Sequence, residues 1–370
     1  MKNSKVLLVD FGVMYGGGQV YLTRLIQLLE GQVEFFVLCS NPELSRSLAD
    51  QGVHVFQFAP ASHWSKVWQM LLGMAILVRL RIFQGINVVW INGTPEIIFS
   101  PLARILGCKT IATRHLSMDA QSLELHRTTN RVFSESLFKK LALSLHKVVC
   151  VSEAVATDLA TVLSSKNLVS IPNWVSVLPD PVMANHEARL PVRVVFVGRL
   201  QKYKGAHIII DAMKQLTAQN PELELSLTIV GDGECRDELA LQSQGLDVRF
   251  TGFQKVTTSF YRDADLFINP SMGPEGLPLV SLEAMSFGLP CILSDLRVHR
   301  EISEDGKCAL LFRSGDAADL CLAIRSLVAC PTKMRAYGKL GRTAVENRYS
   351  ADAARVNYLE MLQLNGGISS

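Results

Sequence analysis

Two glutamates in a Gly- and Pro-rich segment have the residue type and the spacing to bind a ligand with several hydroxyl groups. Glu275 and Glu283 stand in residues 269–294, NPSMGPEGLPLVSLEAMSFGLPCILS. A strand pattern ends, a loop follows, and a helix begins near Leu277 or Pro278, since proline fits the first turn of a helix. Glu275 is then a loop residue, and Glu283 lies about two turns inside the helix. Carboxylate oxygens accept hydrogen bonds, so both side chains can hold hydroxyl groups.

The first backbone N–H groups of this helix can bind an anion. Such groups have no partner inside the helix and lie at the positive end of its dipole. Here they belong to Gly276, Leu277, Leu279 and Val280. A sugar nucleotide carries both phosphates and hydroxyl groups, so it matches a loop that holds anion-binding donors and carboxylates together. The alternative is that the two glutamates are a solvated loop acid and a helix-surface acid.

Two cationic side chains follow the first predicted strand in the second half of the chain. Residues 196–205 read FVGRLQKYKG, in which Gly198, Arg199 and Lys204 lie in a strand-to-helix loop. A guanidinium can bind a diphosphate through two parallel hydrogen bonds, and an ammonium adds a point charge. The loop therefore predicts a second part of a diphosphate site. The alternative is a pair of surface bases near a turn.

The first half of the chain has a Gly-rich loop and a histidine at the ends of two predicted strands. Residues 15–19 read YGGGQ and open a helix, so Gly17 and Gly18 either bring backbone close to a phosphate or sugar ring or serve only a turn. This loop is not a dinucleotide fingerprint, because Tyr21 occupies the third glycine position; an NAD-dependent dehydrogenase is disfavoured. His115 ends a later strand, where it serves either a ligand or the core.

These loops need a scaffold in which strands and helices alternate. Short β-branched runs alternate with amphipathic stretches in both halves of the chain, which predicts parallel sheets with helices on both faces. We expect an α/β fold of two Rossmann-like doubly wound domains that face each other across a cleft, with ligands at the carboxyl ends of the strands. The predicted strands are Lys5–Asp10, Glu34–Leu38, Val53–Phe58, Val88–Asn92, Lys109–Thr113, Lys147–Val151, Arg193–Val197, Glu224–Val230, Val248–Thr251, Leu266–Asn269, Cys291–Ser294 and Ala309–Phe312.

A Pro-rich stretch near the middle of the chain predicts the domain boundary. Residues 171–191, IPNWVSVLPDPVMANHEARLP, show no helical period. We place an N-terminal domain at 1–175, a linker at 176–191 and a C-terminal domain at 192–345. The last helical stretch, 346–370, is expected to cross back onto the first domain. Two domains also suit the chain length, since single cores rarely exceed roughly 250 to 300 residues.

Composition places the chain among globular cytoplasmic proteins. Hydrophobic residues make up 48% and charged residues 19% of the 370 residues, which argues against long disordered stretches. The net charge of +3 is spread along the chain, so nucleic acid is not an expected partner. The eight cysteines stand singly without zinc-ligand spacing and are expected to be reduced. The N-terminal strand pattern has no apolar region of signal-peptide length, so secretion is not expected. The longest apolar run, Val67 to Val78, is interrupted by Gln69 and is too short for a membrane span.

Several of these segments together resemble one protein family. Residues 275–293, EGLPLVSLEAMSFGLPCIL, are similar to the signature E-G-[FL]-x-L-x-x-x-E-A-M-A-x-G-x-P-V-[IV] of glycosyltransferase family 4. The FVGRL and KG of residues 196–205 resemble that family's F-V-G-R-L…K-G segment. The likeness continues over nearly the whole chain and is most specific from Val195 to Leu293. Gln19 departs from the pattern, because the family commonly has a glutamate at this position.

The resemblance implies a GT-B fold and an enzyme that transfers a sugar from a nucleotide diphosphate donor, most commonly a UDP-sugar, with retention of configuration. By this resemblance Glu275 orients hydroxyl groups of the donor sugar and Glu283 holds the ribose. Arg199 and Lys204 would stabilise the leaving nucleotide. The first domain would bind the acceptor and the second the nucleotide sugar.

Further positions take their expected roles from the same resemblance. His115 would lie near the transferred sugar, and the loop at Phe253 would contact the base through backbone groups. Asp263 and Asp265 have the D-x-D spacing of a metal-binding pair but precede a strand in a structural segment. We therefore expect no metal and no cofactor, with cationic side chains and the helix dipole acting on the diphosphate.

The acceptor and the pathway are open at this stage. Residues 62–84 include Trp64 and Trp68 on an apolar face flanked by basic side chains, which either rests on the inner surface of the plasma membrane or faces the core. We expect transfer of a hexose or N-acetylhexosamine to a saccharide or lipid-linked acceptor, in polysaccharide or lipopolysaccharide biosynthesis. The alternatives are a sugar-nucleotide epimerase, a phosphorylase, and a catalytically silent sugar-nucleotide-binding protein on the same fold.

Overall fold

The computed structural model describes residues 4–12, 16–58, 63–93, 95–116, 140–161, 163–177 and 191–363. The chain forms two compact units, Met1–Ile171 and Pro172–Ser370. In each unit, helices alternate with the strands of a parallel sheet. Among the described helices, none combines the length and the apolar character needed to cross a membrane.

In the described part of the first unit, seven parallel strands form one sheet in the order β3-β2-β1-β4-β5-β6-β7. Strands β1 to β7 are Ser4–Asp10, Val33–Cys39, His54–Gln57, Val88–Ile91, Lys109–Arg114, Lys147–Cys150 and Leu168–Ser170. Helices α1 to α5 are Gly17–Leu28, Pro42–Ala49, His63–Phe83, Phe99–Ile105 and Glu153–Ala160. Short 3-10 helices are formed by Pro95–Ile98 and Ser165–Asn167.

Continuous apolar runs explain why β1 lies at the centre of this sheet. Residues 6–9 are fully buried, because a parallel strand with helices on both faces needs apolar side chains on both faces. Val9 pairs in register with Leu38 on one side and with Ile91 on the other. Helix α1 covers the sheet with an apolar stripe at helical spacing, in which Leu22 and Leu25 are fully buried.

In the described part of the second unit, six parallel strands form one sheet in the order β10-β9-β8-β11-β12-β13. Strands β8 to β13 are Val192–Val197, Leu225–Val230, Val248–Phe250, Leu266–Asn269, Cys291–Ser294 and Leu310–Phe312. Helices α6 to α13 are Ala206–Gln219, Arg236–Gln242, Thr258–Asp263, Leu279–Ser286, Arg297–Ile302, Ala317–Val328, Pro331–Arg348 and Ala351–Gln363. Residues Lys202–Lys204 form a 3-10 helix before α6. The core contains Ile209 of α6, Ile229 of β9 and Leu320 of α11.

The predicted doubly wound sheets are confirmed in both units. All the predicted strands are present, and each of their ends lies within one residue of its predicted position. Strand β7 was not predicted, because its three residues are half-buried at the sheet edge and too few to show a strand period. The helix predicted to begin near Leu277 or Pro278 begins at Leu279, with Pro278 as its N-cap.

The division between the units lies slightly before the predicted boundary. It falls between Ile171 and Pro172, so residues 172–175, which we assigned to the first domain, belong to the second unit. Trp174 packs edge-to-face on Tyr358 of α13 at 5.4 Å between ring centroids. Most of the predicted linker, 178–190, lies outside the described residues. The crossing of the last helix onto the first domain stays a prediction.

Each sheet has a switch point, where two neighbouring strands lead into helices on opposite faces. It lies between β1 and β4 in the first unit and between β8 and β11 in the second. Ligands of open α/β sheets bind outside the carboxyl ends of the strands at this point. In the first unit, Asp10 ends β1 and Asn92 follows β4, and in the second, Gly198 follows β8 and Asn269 ends β11. A ligand site is therefore expected at these loops.

Candidate active site

A partly buried ion pair lies at the switch point of the second unit. Lys204 Nζ is 2.5 Å from Glu275 Oε1, and Ser271 Oγ donates a hydrogen bond of 2.6 Å to the same oxygen. The Glu275 side chain is 8% exposed and the Lys204 side chain 20%. The fold thus brings together two of the residues that the sequence predicted for a sugar-nucleotide site, one from the loop after β8 and one from the loop after β11.

Glu275 is held as a carboxylate. Burial acts to raise its pKa, but the charge of Lys204 and hydrogen bonds from Lys204 and Ser271 outweigh burial, so the pKa lies below its ordinary value of 4.5. An opposite charge and hydrogen bonds to the ionised form both favour that form. Near neutral pH, the Glu275 side chain can therefore accept hydrogen bonds but cannot donate them.

Two glycines allow the loops around this pair to approach each other. Gly205 has a φ of +75°, and a Cβ there would collide with the Pro270 carbonyl oxygen. Gly231, with a φ of +143°, leaves no room for a Cβ beside the Gly198 carbonyl oxygen. Only glycine adopts such backbone conformations without steric penalty. Close packing against Pro270 thus requires glycine at position 205, the second residue of the KG pair.

A histidine that the sequence did not single out lies behind the loop of Glu275. Ser294, at the end of β12, donates from Oγ to the Ser271 carbonyl oxygen over 2.6 Å. His299 Nδ1 lies 2.9 Å from both Oγ and the carbonyl oxygen of Ser294. Burial lowers the pKa of His299 to about 4, so its ring is neutral at pH 7. These residues support the backbone from which Ser271 reaches Glu275.

Glu283 lies in α9 and is held by a buried tyrosine. Tyr261 Oη donates a hydrogen bond of 3.1 Å to Glu283 Oε2. Burial, and after it the charge of Glu283, raises the pKa of Tyr261 well above its ordinary value of 10. The phenol therefore stays protonated and keeps donating to the carboxylate. Sequence reasoning missed Tyr261, because it stands 22 positions before Glu283 and only the fold joins them.

The start of α9 presents backbone groups that the sequence predicted for an anion. Leu279 and Val280 are the first residues of the helix, and no described residue accepts a hydrogen bond from their N–H groups. Asn173 Nδ2 donates to the Leu277 carbonyl oxygen over 2.8 Å and fixes the chain as it enters the helix. Gly276 and Leu277 are buried beside this entry. One side-chain hydrogen bond and burial thus hold the backbone at the start of the helix.

Arg199 and Phe253 lie in loops at the carboxyl edge of the second sheet. Arg199 is exposed and forms no ion pair with another described residue. Phe253 is 63% exposed and follows Gly252, whose φ is +70°. Both side chains are accessible to a ligand. The structure does not join either of them to the Lys204–Glu275 pair by a hydrogen bond among the described residues.

The D-x-D pair that was expected to be structural takes part in an ion pair. Arg193 Nε and Nη2 each donate a hydrogen bond of 2.9 Å to the Asp265 carboxylate. Among the described residues, no group of three or more His, Cys, Asp or Glu side chains could hold a metal ion. The expectation of a metal-free site stays a prediction.

A second polar cluster lies at the switch point of the first unit. Asp10 accepts hydrogen bonds from Gly12 N at 2.7 Å, Gln19 Nε2 at 3.0 Å and Asn92 Nδ2 at 3.2 Å. Asn92 Oδ1 lies 2.8 Å from His115 Nε2. The side chains of Asp10, Gln19 and Asn92 are buried, and His115 is half-buried. The sequence predicted only His115 as a site residue, although the positions of Asp10 and Asn92 at strand ends were a usable signal.

Burial governs the titration of this cluster. It raises the pKa of Asp10 above the ordinary value of 3.8, against the hydrogen bonds from Gly12, Asn92 and Gln19. Burial, and after it the charge of Arg114, lowers the pKa of His115 to about 4. His115 is therefore a neutral ring near pH 7 and offers one N–H donor and one acceptor nitrogen.

The Gly-rich loop leads into α1, as predicted. Gly16 is the N-cap, and its N–H donates a hydrogen bond of 3.0 Å to Gln19 Oε1. Among the described residues, a Cβ at Gly17 would meet no atom within 4 Å, and one at Gly18 would make only ordinary contacts. Packing against the described residues thus does not require these two glycines, which agrees with space kept for a ligand. Tyr15 of the same motif lies outside the described residues.

Family models match both units. A model described as Glycosyltransferase Family 4 matches residues 15–177, and one described as Glycosyl transferases group 1 matches residues 191–330. The chain belongs to glycosyltransferase family 4. The resemblance that rested on residues 196–205 and 275–293 is thereby confirmed.

Curated relatives carry glycosyltransferase names. A phosphatidyl-myo-inositol mannosyltransferase of Mycobacterium leprae is 29% identical over 232 residues, which cover 60% of this chain and 61% of that protein. A Haemophilus influenzae protein named as an uncharacterized glycosyltransferase is 32% identical over 200 residues, 53% of either chain. The similarity thus spans 53% to 61% of the length of these relatives.

A solved structure shows that the fold of this family 4 member is shared. Anabaena Alr3699/HepE in complex with UDP has a TM-score of 0.81 and 19% identity, covering 97% of this chain and 100% of that one. The same protein in complex with UDP-glucose has a TM-score of 0.79 and 20% identity, covering 97% and 99%. The GT-B fold that the resemblance implied is confirmed.

Proposed function

We propose that this family 4 protein is a retaining glycosyltransferase that moves a hexose or N-acetylhexosamine from a UDP-linked donor to a saccharide or lipid-linked acceptor. The observation that carries the proposal is the partly buried Lys204–Glu275 pair, in which Glu275 lies four residues before the start of α9. A carboxylate, an ammonium and helix N–H groups at one switch point match the hydroxyl groups and phosphates of a sugar nucleotide.

The described geometry supports a distinct role for each side chain. Glu275 accepts hydrogen bonds from hydroxyl groups of the donor sugar and stabilises positive charge that develops at the anomeric carbon. Lys204 is held by Glu275 at the loop, and the exposed Arg199 closes on the diphosphate bidentately. Glu283, held by Tyr261, accepts hydrogen bonds from the ribose.

The reaction breaks the bond between the anomeric carbon and the diphosphate oxygen, and the nucleotide diphosphate leaves with the electron pair. The acceptor hydroxyl then attacks from the same face, so the configuration is retained, and a phosphate oxygen takes its proton. Arg199, Lys204 and the α9 dipole stabilise the negative charge of the leaving group in place of a metal ion.

A UDP-linked donor is supported by the Anabaena structures, which contain UDP and UDP-glucose. A lipid-linked acceptor is supported by the name of the mycobacterial relative, a phosphatidyl-myo-inositol mannosyltransferase. The reduced thiols expected from the sequence agree with the cytoplasm as the place of reaction, since all eight cysteines are free. The pathway we propose is the assembly of a polysaccharide or lipopolysaccharide.

The exposed face of α3 supports contact with a membrane surface. Trp68 is 71% exposed and Leu72 54%, whereas Leu77 and Leu80 on the other side of the helix are buried. The helix therefore contacts the core with one face and leaves the other apolar face in solvent. Amphipathic helices with exposed Trp and Leu bind at the boundary of headgroups and acyl chains. The side chain of Trp64 lies outside the described residues.

Ligand-induced thermal stabilisation tests the donor site. A ligand at 100 times its dissociation constant stabilises the folded state by about 2.7 kcal/mol. We expect UDP without added metal to raise the melting temperature more than GDP or ADP. Arg199→Ala and Glu283→Ala should each reduce that increase, because they remove the diphosphate and ribose partners. If none of the nucleotides raises the melting temperature, the donor-site proposal fails.

Turnover separates the transferase from the alternatives. A transferase or its slow hydrolytic side reaction releases UDP from UDP-glucose, whereas an epimerase changes the sugar and releases no UDP. A catalytically silent protein binds UDP and UDP-glucose and does neither. We expect UDP release, with Glu275→Gln strongly impaired and the exposed-site variant Glu346→Gln unchanged.

A further inference from the structure

At the switch point of the first unit, His115 is the last member of a chain of hydrogen-bonded polar side chains. A chain of hydrogen bonds runs from Gln19 through Asp10 and Asn92 to His115. The first three side chains are buried, and burial of a carboxylate and two amides is unfavourable unless their hydrogen bonds are satisfied. The donor and the acceptor in each of these hydrogen bonds determine which nitrogen of His115 carries the hydrogen.

Backbone groups fix the orientation of both amides. The Gly16 N–H can only donate, so the atom of Gln19 that it meets at 3.0 Å is Oε1, and Nε2 points at Asp10. The Gly18 carbonyl oxygen can only accept, so the Asn92 atom at 3.3 Å from it is Nδ2. Asn92 Oδ1 is then the atom that lies 2.8 Å from His115 Nε2.

This orientation determines the tautomer of the imidazole. An amide oxygen only accepts hydrogen bonds, so His115 Nε2 must carry the hydrogen. In the neutral ring, Nδ1 is then an acceptor with a lone pair. Among the described residues, no hydrogen-bonding group contacts Nδ1. The ring is further held edge-on to Tyr21, at 4.8 Å between centroids.

We propose that Asp10 and Asn92 are positioning residues that hold His115 in the Nε2–H tautomer, so that Nδ1 accepts a hydrogen bond from a ligand hydroxyl group. Asp10 accepts from Asn92 Nδ2 and thereby prevents the amide from turning over. The identity of that hydroxyl as one of the transferred sugar rests on the proposed function. The assignment of the tautomer rests on the hydrogen bonds alone and is independent of the proposed function.

The same chain explains why residue 19 is glutamine. Gln19 accepts from the Gly16 N–H through Oε1 and donates to Asp10 through Nε2, which is 3.0 Å from Oδ2. A glutamate would still accept at Gly16, but its second oxygen would face the Asp10 carboxylate, and when both groups are ionised neither can donate. Like charges at this distance raise the free energy of the ionised pair. Glutamine at this position and a carboxylate at Asp10 are therefore a matched pair.

The histidine tautomer is measured directly by long-range proton–nitrogen NMR of the full chain labelled with 15N in its histidine rings. The His115 signals are assigned by their loss in His115→Gln. We expect the Nε2–H tautomer in the unliganded protein. In Asn92→Leu we expect a mixture of tautomers, because the oxygen that selects Nε2–H is gone. An Nδ1–H tautomer in the wild type, or an unchanged tautomer in Asn92→Leu, would overturn the proposal.

Gln19→Glu is a second variant, and Gln27→Glu on the exposed face of the same helix is its matched control. We expect Gln19→Glu to lower kcat/KM for UDP release from UDP-glucose at least about tenfold, because the acceptor nitrogen is displaced. The increase in melting temperature by UDP, which has no transferred sugar, should persist in both variants. An equal rate for the two variants would count against a positioning role. If UDP does not raise the melting temperature of the wild type, the proposed function is refuted, whereas the tautomer result still stands.

Discussion

The two units place chemically different clusters at the same topological position. At the second switch point a carboxylate is neutralised by an ammonium, Glu275 with Lys204. At the first switch point Asp10 has no ion pair with a described residue and is held by one backbone N–H and two side-chain amides. One cluster uses opposite charges, and the other uses only dipoles.

This difference shows how one type of side chain is adapted to two tasks. A charge next to Glu275 favours the ionised form, so the pKa falls although the group is buried. Around Asp10 the dipoles do not compensate for burial, so the pKa rises. The first cluster orients a neutral ring, His115, whereas the second concentrates charge where we propose that a diphosphate binds. The same acid-to-amide change should therefore have different consequences in the two units.

Glu275→Gln should give the largest effect on turnover. The amide cannot neutralise Lys204 or stabilise positive charge at the anomeric carbon, so we expect UDP release from UDP-glucose to fall about 100-fold or more. Initial rates at saturating UDP-glucose measure this change. Glu346→Gln, which breaks an exposed ion pair with Arg342, is the control and should leave the rate unchanged. Similar rates for the two variants would remove Glu275 from the site.

Asp10→Asn should act first on stability. Three N–H groups point at the Asp10 carboxylate, and an asparagine offers one oxygen and one NH₂ in its place. At least one donor is then opposed by another donor, which costs about 1 to 3 kcal/mol. Calorimetric unfolding measures the change in the melting of the first unit. An unchanged melting profile would show that the two clusters do not differ as described.

The sequence predicted the strands and loops that carry the two clusters better than the side chains that form them. Strand ends and the Lys204 and Glu275 loops were predicted, because apolar runs and Gly/Pro positions are local signals. Asp10 and Asn92 were missed as a pair, because they lie 82 positions apart and only strand order brings them together. Whether Gln19 had a role was open for the same reason, since its partner Asp10 lies across the Gly-rich loop. His299 was missed although its partner Ser294 is only five positions away, because a lone histidine near a serine has no spacing that marks a site.

Two glycine substitutions, one in each unit, should differ in their effect on stability. Gly205→Ala in the second unit should destabilise the protein by about 1 to 3 kcal/mol, because φ is +75° and the Cβ meets the Pro270 carbonyl oxygen. Gly17→Ala in the first unit should leave stability nearly unchanged, since its Cβ meets no atom of the described residues within 4 Å. Melting temperatures test both. If Gly17 keeps space for a ligand, Gly17→Ala should still raise KM for UDP-glucose.

The smallest effect is in the pH dependence of stability, where the two carboxylates should act with opposite sign. The pKa of Glu275 is lowered from 4.5, so its contribution is complete above pH 4.5 and is lost as pH falls through the folded-state pKa. The pKa of Asp10 is raised from 3.8, so its contribution is complete below pH 3.8 and is lost as pH rises through the folded-state pKa.

Differences between variants isolate these two contributions from a larger common trend. The pKa of His115 and of His299 is lowered from 6.5 to about 4, so both destabilise the fold as pH falls through that range, in every variant that keeps them. Melting temperatures of the wild type and of Glu275→Gln should therefore converge as the pH is lowered below 4.5. Those of the wild type and of Asp10→Asn should diverge, with the wild type gaining as Asp10 takes up its proton. Curves that shift in the same direction for both variants would show that the two switch points hold their carboxylates by the same means.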